Sequence, residues 1–307
     1  LDVKSKTAIS AAAIAALVAA VVVQQILGEE FALRLPELEN VRSPLVEIPL
    51  SVGLGACAGA VALLFEKATL QSREVFRRIG SASGENVAPG TVADNLQQLP
   101  AALRPVLGGL ACGIIGLAVP QILFFGYSTL DALIAMGANP SVDTQELNAP
   151  LLINIYDSDF NKNVDLVVLL FAKILTTAIC IGSGLVGGTF APSIFLGAVL
   201  GVAYQSAAGA ALGGLADAIA DYQTSIDVPV GSWGVIPKLT VADSPAYAMI
   251  GAAATLSSVF RAPLTASLLI FELTRKYDII LPLIAAAGTG PLVVDWIKTR
   301  PPWKEQV

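Results

Sequence analysis

The stretch Gly182–Gly201, which reads GSGLVGGTFAPSIFLGAVLG, decides the fold of this chain. It lies in an apolar sequence, opens with five glycines or serines, and places Pro192 just beyond them. We interpret it as a helix that begins partway through a bilayer, preceded by backbone with few side chains. The first N–H groups of a helix lack intrahelical partners and carry the positive end of the macrodipole. In low dielectric such a helix start is a main-chain anion site, so the stretch predicts a protein that moves small anions.

Composition places the chain in a membrane and excludes several functions. Hydrophobic residues make up 55% of the 307 residues and charged residues 14%, with a mean hydropathy of +0.71. The net charge of −6 and the lack of a basic stripe argue against a nucleic-acid partner. Histidine is absent, and Cys57, Cys112 and Cys180 lie singly in apolar runs, so packing is the expected role of the cysteines. We therefore expect no metal and no cofactor. With no phosphate-binding loop and no nucleophile beside a base, we also expect no enzyme.

Apolar runs alternate with polar loops along the chain, which is typical of an all-α polytopic membrane protein. Several runs are short or interrupted by glycine or proline, as in transporters whose half-helices meet near the midplane. The run 7–27 is long enough to span a bilayer and is interpreted as a spanning helix rather than a signal peptide. The predicted helices are 7–27, 45–77, 100–119, 127–136, 164–181, 188–213, 245–256, 262–274 and 278–297.

Three ionisable residues lie inside or beside the apolar runs, where charge is costly. Lys173 either lends positive potential to an anion path or extends to the membrane interface. Arg261 interrupts a small-residue helix, and Glu272 lies near a helix end, where we expect both to brace the fold.

Glycines at four-residue spacing allow close helix packing. Packing within the chain is preferred over a subunit interface for these pairs, which are Gly55 with Gly59, Gly109 with Gly113, and Gly197 with Gly201.

Three stretches of the sequence resemble those of a known protein family. The stretch Gly182–Gly201 is similar to the GxFxP signature region of the CLC family of voltage-gated chloride channels and chloride/proton antiporters. Ser257–Ile284, SSVFRAPLTASLLIFELTRKYDIILPLI, resembles the later pair of helices of that family, in the same order and separation. Ser43–Phe65 resembles an earlier helix–loop–helix. The resemblance extends from about Thr7 to Trp296.

The resemblance implies a fold of tilted, partly broken helices in two inverted repeats, with one anion pore in each subunit of a homodimer. The chain is then a single transmembrane domain, 1–307, in which 7–77 ends the first repeat and 100–297 forms the second. The anion-binding N–H groups fall at Gly188, Thr189 and Phe190, and Gly187 allows close approach. Trp303 lies near the place of the family's pore-lining tyrosine, where it either replaces that residue or anchors the interface.

The chain also departs from the family pattern. The GSGxP loop with a coordinating serine and the GxEGP loop with a gating glutamate do not occur in it. The first repeat is therefore expected to be largely missing, either because it was removed or because this is a shortened relative. The paired cytosolic regulatory modules of many relatives are also expected to be absent. The loop Phe31–Leu50 resembles the plastid and cyanobacterial-like branch, which implies a chloroplast membrane, either thylakoid or envelope.

The resulting hypothesis is anion transport through a CLC-type pore, as a channel or as an anion/proton exchanger. Chloride is the expected ion, with nitrate as the second choice. The alternative is a truncated relative that acts as a non-conducting structural subunit of a larger membrane complex. The expected partners are the anion, membrane lipids and a second copy of the chain.

Overall fold

The computed structural model of the chain describes residues 44–78, 103–123, 129–130, 162–225 and 242–299, together with isolated positions between 11 and 25. All regular structure in these ranges is helical, which confirms the predicted all-α class. The chain divides into two compact units, Leu1–Arg34 and Leu35–Val307. In the first unit, every described position is helical and exposed, as expected for an apolar helix such as the predicted 7–27.

Seven α-helices with described bounds lie in the second unit, and the described positions 129 and 130 are also helical. Three segments are long and apolar enough to cross a membrane: Glu47–Arg77, Phe190–Gly214 and Tyr277–Lys298. Single 3₁₀ turns follow two of the helices, at Pro120–Ile122 and Tyr277–Ile279. The helices are α1 (Pro44–Arg78), α2 (Arg104–Ala118), α3 (Lys162–Gly182), α4 (Phe190–Ser225), α5 (Ser244–Phe260), α6 (Pro263–Thr274) and α7 (Ile280–Lys298).

Helix α5 forms the centre of the second unit. Its residues from Ser244 to Ser258 are all buried, and it packs against α1, α4, α6 and α7. The contact with α4 is close because Gly197 and Gly251 lie against each other's backbone. Gly201 likewise lies against the backbone of Tyr247. A side chain at these glycines would displace main-chain atoms, so the small residues determine how near the two helices approach.

The glycine pairs differ in what they contact. Gly55 and Gly59 of α1 face the backbone of α7, and Gly197 and Gly201 face that of α5, which confirms packing within the chain for both pairs. Gly109 and Gly113 of α2 face open space within the described part of the chain. For that pair, packing within the chain stays a prediction.

The breaks on either side of α6 are made by arginines in the left-handed region. Arg261 has φ 54° and Arg275 has φ 51°, and each follows the last residue of a helix. Pro263 then begins α6, since proline is accommodated in the first turn of a helix. The predicted helices 262–274 and 278–297 therefore lie within two residues of the observed ones.

Two of the predicted helices differ from the described structure or extend beyond it. Helix α4 runs to Ser225, so its predicted end at 213 is wrong. Its glycines cost only about 1 kcal/mol each in a helix interior, and the alanines around them favour continuation. The predicted helix 127–136 lies mostly outside the described residues, although positions 129 and 130 are helical. The division into two repeats stays a prediction.

Candidate anion site

The loop between α3 and α4 begins with a tight turn. Helix α3 ends at Gly182, and the N–H of Ser183 still donates to the Ile179 carbonyl at 2.9 Å. Gly184 has φ 90°, a conformation that glycine adopts without strain. The N–H of Leu185 then donates back to the Cys180 carbonyl at 3.2 Å. The turn therefore satisfies the end of α3 and directs the chain away from it.

The start of α4 leaves its own donors open. The Thr189 carbonyl accepts the N–H of Ser193 at 3.0 Å and the Ser193 hydroxyl at 2.6 Å, which fixes the first turn. Within the described residues, the N–H groups of Gly187, Gly188, Thr189 and Phe190 donate to no other group of the protein. Sequence analysis predicted the N–H groups of Gly188, Thr189 and Phe190 as donors to the anion, with Gly187 allowing close approach. We call residues 187–190 the anion loop.

The two glycines of the anion loop are sterically open. Gly187 and Gly188 are exposed, and an added Cβ at either position would meet no neighbouring atom within the described part of the chain. Close approach of a ligand to this backbone is therefore unobstructed. Thr189 is half-buried.

A cavity of about 720 Å³ lies beside the anion loop, between the loop, α2 and α3. Its wall combines apolar side chains with a few polar groups and the glycine backbone. The lining residues are Cys112, Ile122, Leu123, Lys173, Thr176, Thr177, Cys180, Ile181, Gly187, Gly188, Phe190, Ala191 and Pro192.

Lys173 is a cation in the wall of this cavity. Its side chain is only 4% exposed, and its Nζ donates to the Ile122 carbonyl at 2.7 Å. The same ammonium lies 4.9 Å from the centre of the Phe195 ring, within the range of a cation–π contact. Of the two predicted roles, extension to the membrane interface is wrong, because the ammonium is held inside the protein. In its observed position the Lys173 ammonium can instead provide the other predicted role, a positive potential at the cavity.

Phe190 is the first residue of α4, and its side chain is not buried in the core. Its ring is 40% exposed and contacts Phe260 at 6.4 Å between ring centres, with the planes tilted by 60°. The ring therefore packs against the end of α5, while its N–H belongs to the anion loop.

Arg261 and Glu272 do not line the cavity. Arg261 forms an ion pair with Asp295 of α7 at 2.8 Å, which ties the end of α5 to α7. Glu272 is exposed, and no described residue pairs with it, so bracing by this residue is not observed. Trp303 lies outside the described residues.

Sequence analysis missed one buried polar contact. Glu47 of α1 is 1% exposed; its Oε1 accepts the N–H of Ala242 and its Oε2 accepts the hydroxyl of Tyr247, both at 2.7 Å. The available signal was a single acidic residue inside the apolar stretch Ser43–Phe65. This contact joins the start of α1 to the start of α5.

The geometry is suited to a small anion that sheds part of its water. Main-chain N–H groups offer partial positive charge without a permanent ion pair, and a nearby ammonium raises the local potential. An apolar wall removes competing water, which strengthens both interactions.

The relatives that match this chain are named as chloride channels or as a chloride/proton exchange transporter. The family model described as voltage gated chloride channel matches residues 3–295. Chloride channel protein CLC-e of Arabidopsis thaliana is 36% identical over 90% of this chain and 32% of its own length. Chloride channel protein CLC-f of the same plant is 33% identical over 90% of this chain and 28% of its own length. The H(+)/Cl(-) exchange transporter ClcA of Klebsiella pneumoniae is 27% identical over 89% of this chain and 44% of its length.

A solved structure shares the fold. The crystal structure of a slow cyanobacterial Cl-/H+ antiporter aligns with 93% of this chain and 52% of that chain, at a TM-score of 0.50 and 20% identity. The chain thus spans between about a quarter and a half of the length of these proteins. It is an integral membrane protein, and the match over residues 3–295 shows that it belongs to the voltage-gated chloride channel (CLC) family.

Proposed function

We propose that this chain provides part of an anion pathway in a CLC-type transporter, with chloride as the substrate. The observation that carries the proposal is the start of α4, where the N–H groups of four consecutive residues have no acceptor among the described residues. Three of these residues, Gly187, Gly188 and Phe190, line a cavity whose wall also contains Lys173. Two features of positive sign, a helix start and an ammonium, share one cavity wall. Their mutual repulsion is relieved when an anion occupies the space between them.

Main-chain N–H donors are suited to transport because they bind an anion weakly enough for it to leave the site again. A chloride ion that exchanges water for neutral amides gains enough to enter the site and still leaves it readily. Lys173 lies in the same wall and raises the local chloride concentration without forming part of the anion loop.

The relatives support this substrate and leave the transport mode open. Two are named as chloride channels and one as an H(+)/Cl(-) exchange transporter. The proposal therefore covers channel and exchanger activity, with nitrate as the second anion. Transport of this kind requires no enzyme chemistry and no cofactor besides the anion itself.

The proposal also includes the assembly and the membrane. The homodimer is supported by the family resemblance of the sequence alone, and the chloroplast membrane by that resemblance together with the two plant relatives. Cross-linking in native membranes tests whether the protein is a homodimer. Fractionation of thylakoid and envelope membranes tests whether it lies in a chloroplast membrane.

A matched pair of substitutions at Gly188 tests the anion loop. Gly188→Pro removes the N–H donor, while Gly188→Ala keeps it and adds a methyl group in open space. In full-length protein reconstituted into liposomes, we expect chloride efflux to be abolished by proline and nearly unchanged by alanine. Thr189→Pro serves as a second donor-removing variant, and size-exclusion profiles verify that each variant folds.

Two outcomes would contradict the proposal. Equal efflux from the proline and alanine variants would reject the role of these N–H groups. Absence of any chloride or nitrate flux in folded full-length protein would favour the non-conducting structural subunit.

A further inference from the structure

Cys112 and Cys180 face each other across the contact between α2 and α3. Their Sγ atoms are 3.2 Å apart, although the residues are 68 positions apart in sequence. The Cys112 thiol also lies 3.5 Å from the Thr176 carbonyl. Both thiols are free and half-buried, whereas Cys57, the third cysteine, is exposed on α1. Sequence spacing gave no sign of a pair, because only the packing of α2 on α3 brings the two sulfurs together.

The pair lies in the wall of the cavity beside the anion loop. Cys112, Cys180, Gly187 and Gly188 all line that space. The cavity volume of about 720 Å³ is far larger than the ~30 Å³ that one water molecule takes up in the liquid. A small neutral oxidant therefore has room to reach the sulfurs from the cavity.

Cys180 also supports the loop through its backbone. Its carbonyl accepts the Ser183 hydroxyl at 2.9 Å and the N–H of Leu185 at 3.2 Å. On the α2 side, Gly108 lies against the Ser183 side chain so closely that a Cβ there would collide with it. Movement of Cys180 relative to α2 is therefore transmitted to the residues that precede the anion loop.

We propose that Cys112 and Cys180 are a redox-modification site, a dithiol that a small hydroperoxide converts reversibly to a disulfide. One thiol loses its proton and attacks the peroxide oxygen, which gives a sulfenic acid and releases an alcohol or water. The second sulfur attacks the sulfenic sulfur, the S–O bond breaks, and the departing hydroxide takes the proton of the second thiol and leaves as water. Two thiols are oxidised and one peroxide is reduced. The sulfurs must approach from 3.2 Å to about 2.05 Å, a shift that Cys180 can make because it lies two residues from the end of α3.

Peptide mapping tests the modification without any transport assay. Full-length protein carrying Cys57→Ser in lipid nanodiscs is treated with hydrogen peroxide, alkylated under denaturing conditions and digested. We expect a linked peptide containing Cys112 and Cys180, 2 Da lighter than its two thiol peptides together, which dithiothreitol separates again. The matched control Cys57→Ser/Cys112→Ser must give no linked peptide. Separate alkylation of both thiols after peroxide, or sulfonic acids without a link, would overturn the proposal.

The effect on transport rests on the proposed function. Because the disulfide draws Cys180 towards α2 and repositions the anion loop, we expect peroxide to lower chloride efflux of Cys57→Ser about threefold or more, and reductant to restore it. Efflux of Cys57→Ser/Cys112→Ser is expected to be insensitive. A complete disulfide with unchanged efflux would overturn the coupling to transport. If folded protein carries no anion in either state, the proposed function fails, while the linked peptide still decides the modification.

Discussion

The starts of α5 and α4 present the same chemical groups, backbone N–H donors at the positive end of a helix, but they differ in what lies beside them. Near the start of α5, the Glu47 carboxyl group accepts the N–H of Ala242 and the hydroxyl of Tyr247, each at 2.7 Å. The α4 start has an open anion loop and a cavity containing Lys173. An acidic side chain of the protein completes the first site, and a basic side chain accompanies the second. The difference shows that an internal carboxylate fixes the start of α5, whereas the open start of α4 is the feature on which we base the proposed anion site.

The largest effect is expected when the internal partner of α5 is removed. Glu47→Ala leaves the buried N–H of Ala242 and the hydroxyl of Tyr247 without their acceptor. A buried donor left unsatisfied costs about 1–3 kcal/mol, so for these two donors we expect a loss of about 2–6 kcal/mol in the free energy of unfolding. Thermal unfolding in detergent micelles measures this loss as a lowered Tm.

Glu47→Gln is the matched control for that experiment. Its amide oxygen can still accept from Ala242, and its NH₂ group can donate to the oxygen of Tyr247, so most of the stability should remain. Equal Tm values for the alanine and glutamine variants would show that the carboxyl group does not stabilise the start of α5, and the comparison of the two helix starts would break down.

How far sequence could predict these two sites depends on how far apart their residues lie. The open helix start of α4 was predictable because glycines, Thr189 and Pro192 occupy one continuous stretch, while its role as an anion site stays a prediction. The α5 site was not, because Glu47 and Ala242 are 195 positions apart. The same limit applies to Lys173, whose sequence left two roles open until its bond to Ile122, 51 positions away, placed it in the cavity.

Helix boundaries, too, could be predicted only where the signal lies close by in sequence. The break before α6 was predictable from Pro263, a local signal that places a helix start. The end of α4 was not, because the glycines near residue 213 only weaken a helix. Local chemistry therefore predicts where helices begin, while contacts distant in sequence determine what their ends bind.

An intermediate effect is expected from changing the charge beside the anion loop. Lys173→Met keeps the length of the side chain and removes the ammonium, so chloride should bind about tenfold more weakly, equivalent to about 1.4 kcal/mol. Lys173→Arg retains the charge and should bind chloride nearly as well as the unmodified protein. Isothermal titration of chloride into folded full-length protein measures both affinities.

The Tm of the Lys173 variants separates binding from folding. The ammonium also donates to the Ile122 carbonyl, so Lys173→Met is expected to lower Tm slightly. Unchanged chloride affinity in a variant with a lowered Tm would show that Lys173 only holds the turn at Pro120–Ile122. In that case the two helix starts would not differ in the charge that accompanies them.

The smallest effect is expected at the other end of α5, where Arg261 and Asp295 pair near solvent. Their side chains are 48% and 55% exposed, and exposed ion pairs contribute about 0–1 kcal/mol. Asp295→Asn should therefore shift Tm only slightly. Arg261→Gly also loses the pair but relieves a left-handed backbone at φ 54°, so it should be no less stable than Asp295→Asn. A Tm loss at Asp295→Asn as large as that of Glu47→Ala would contradict the view that α5 is fixed mainly at its start.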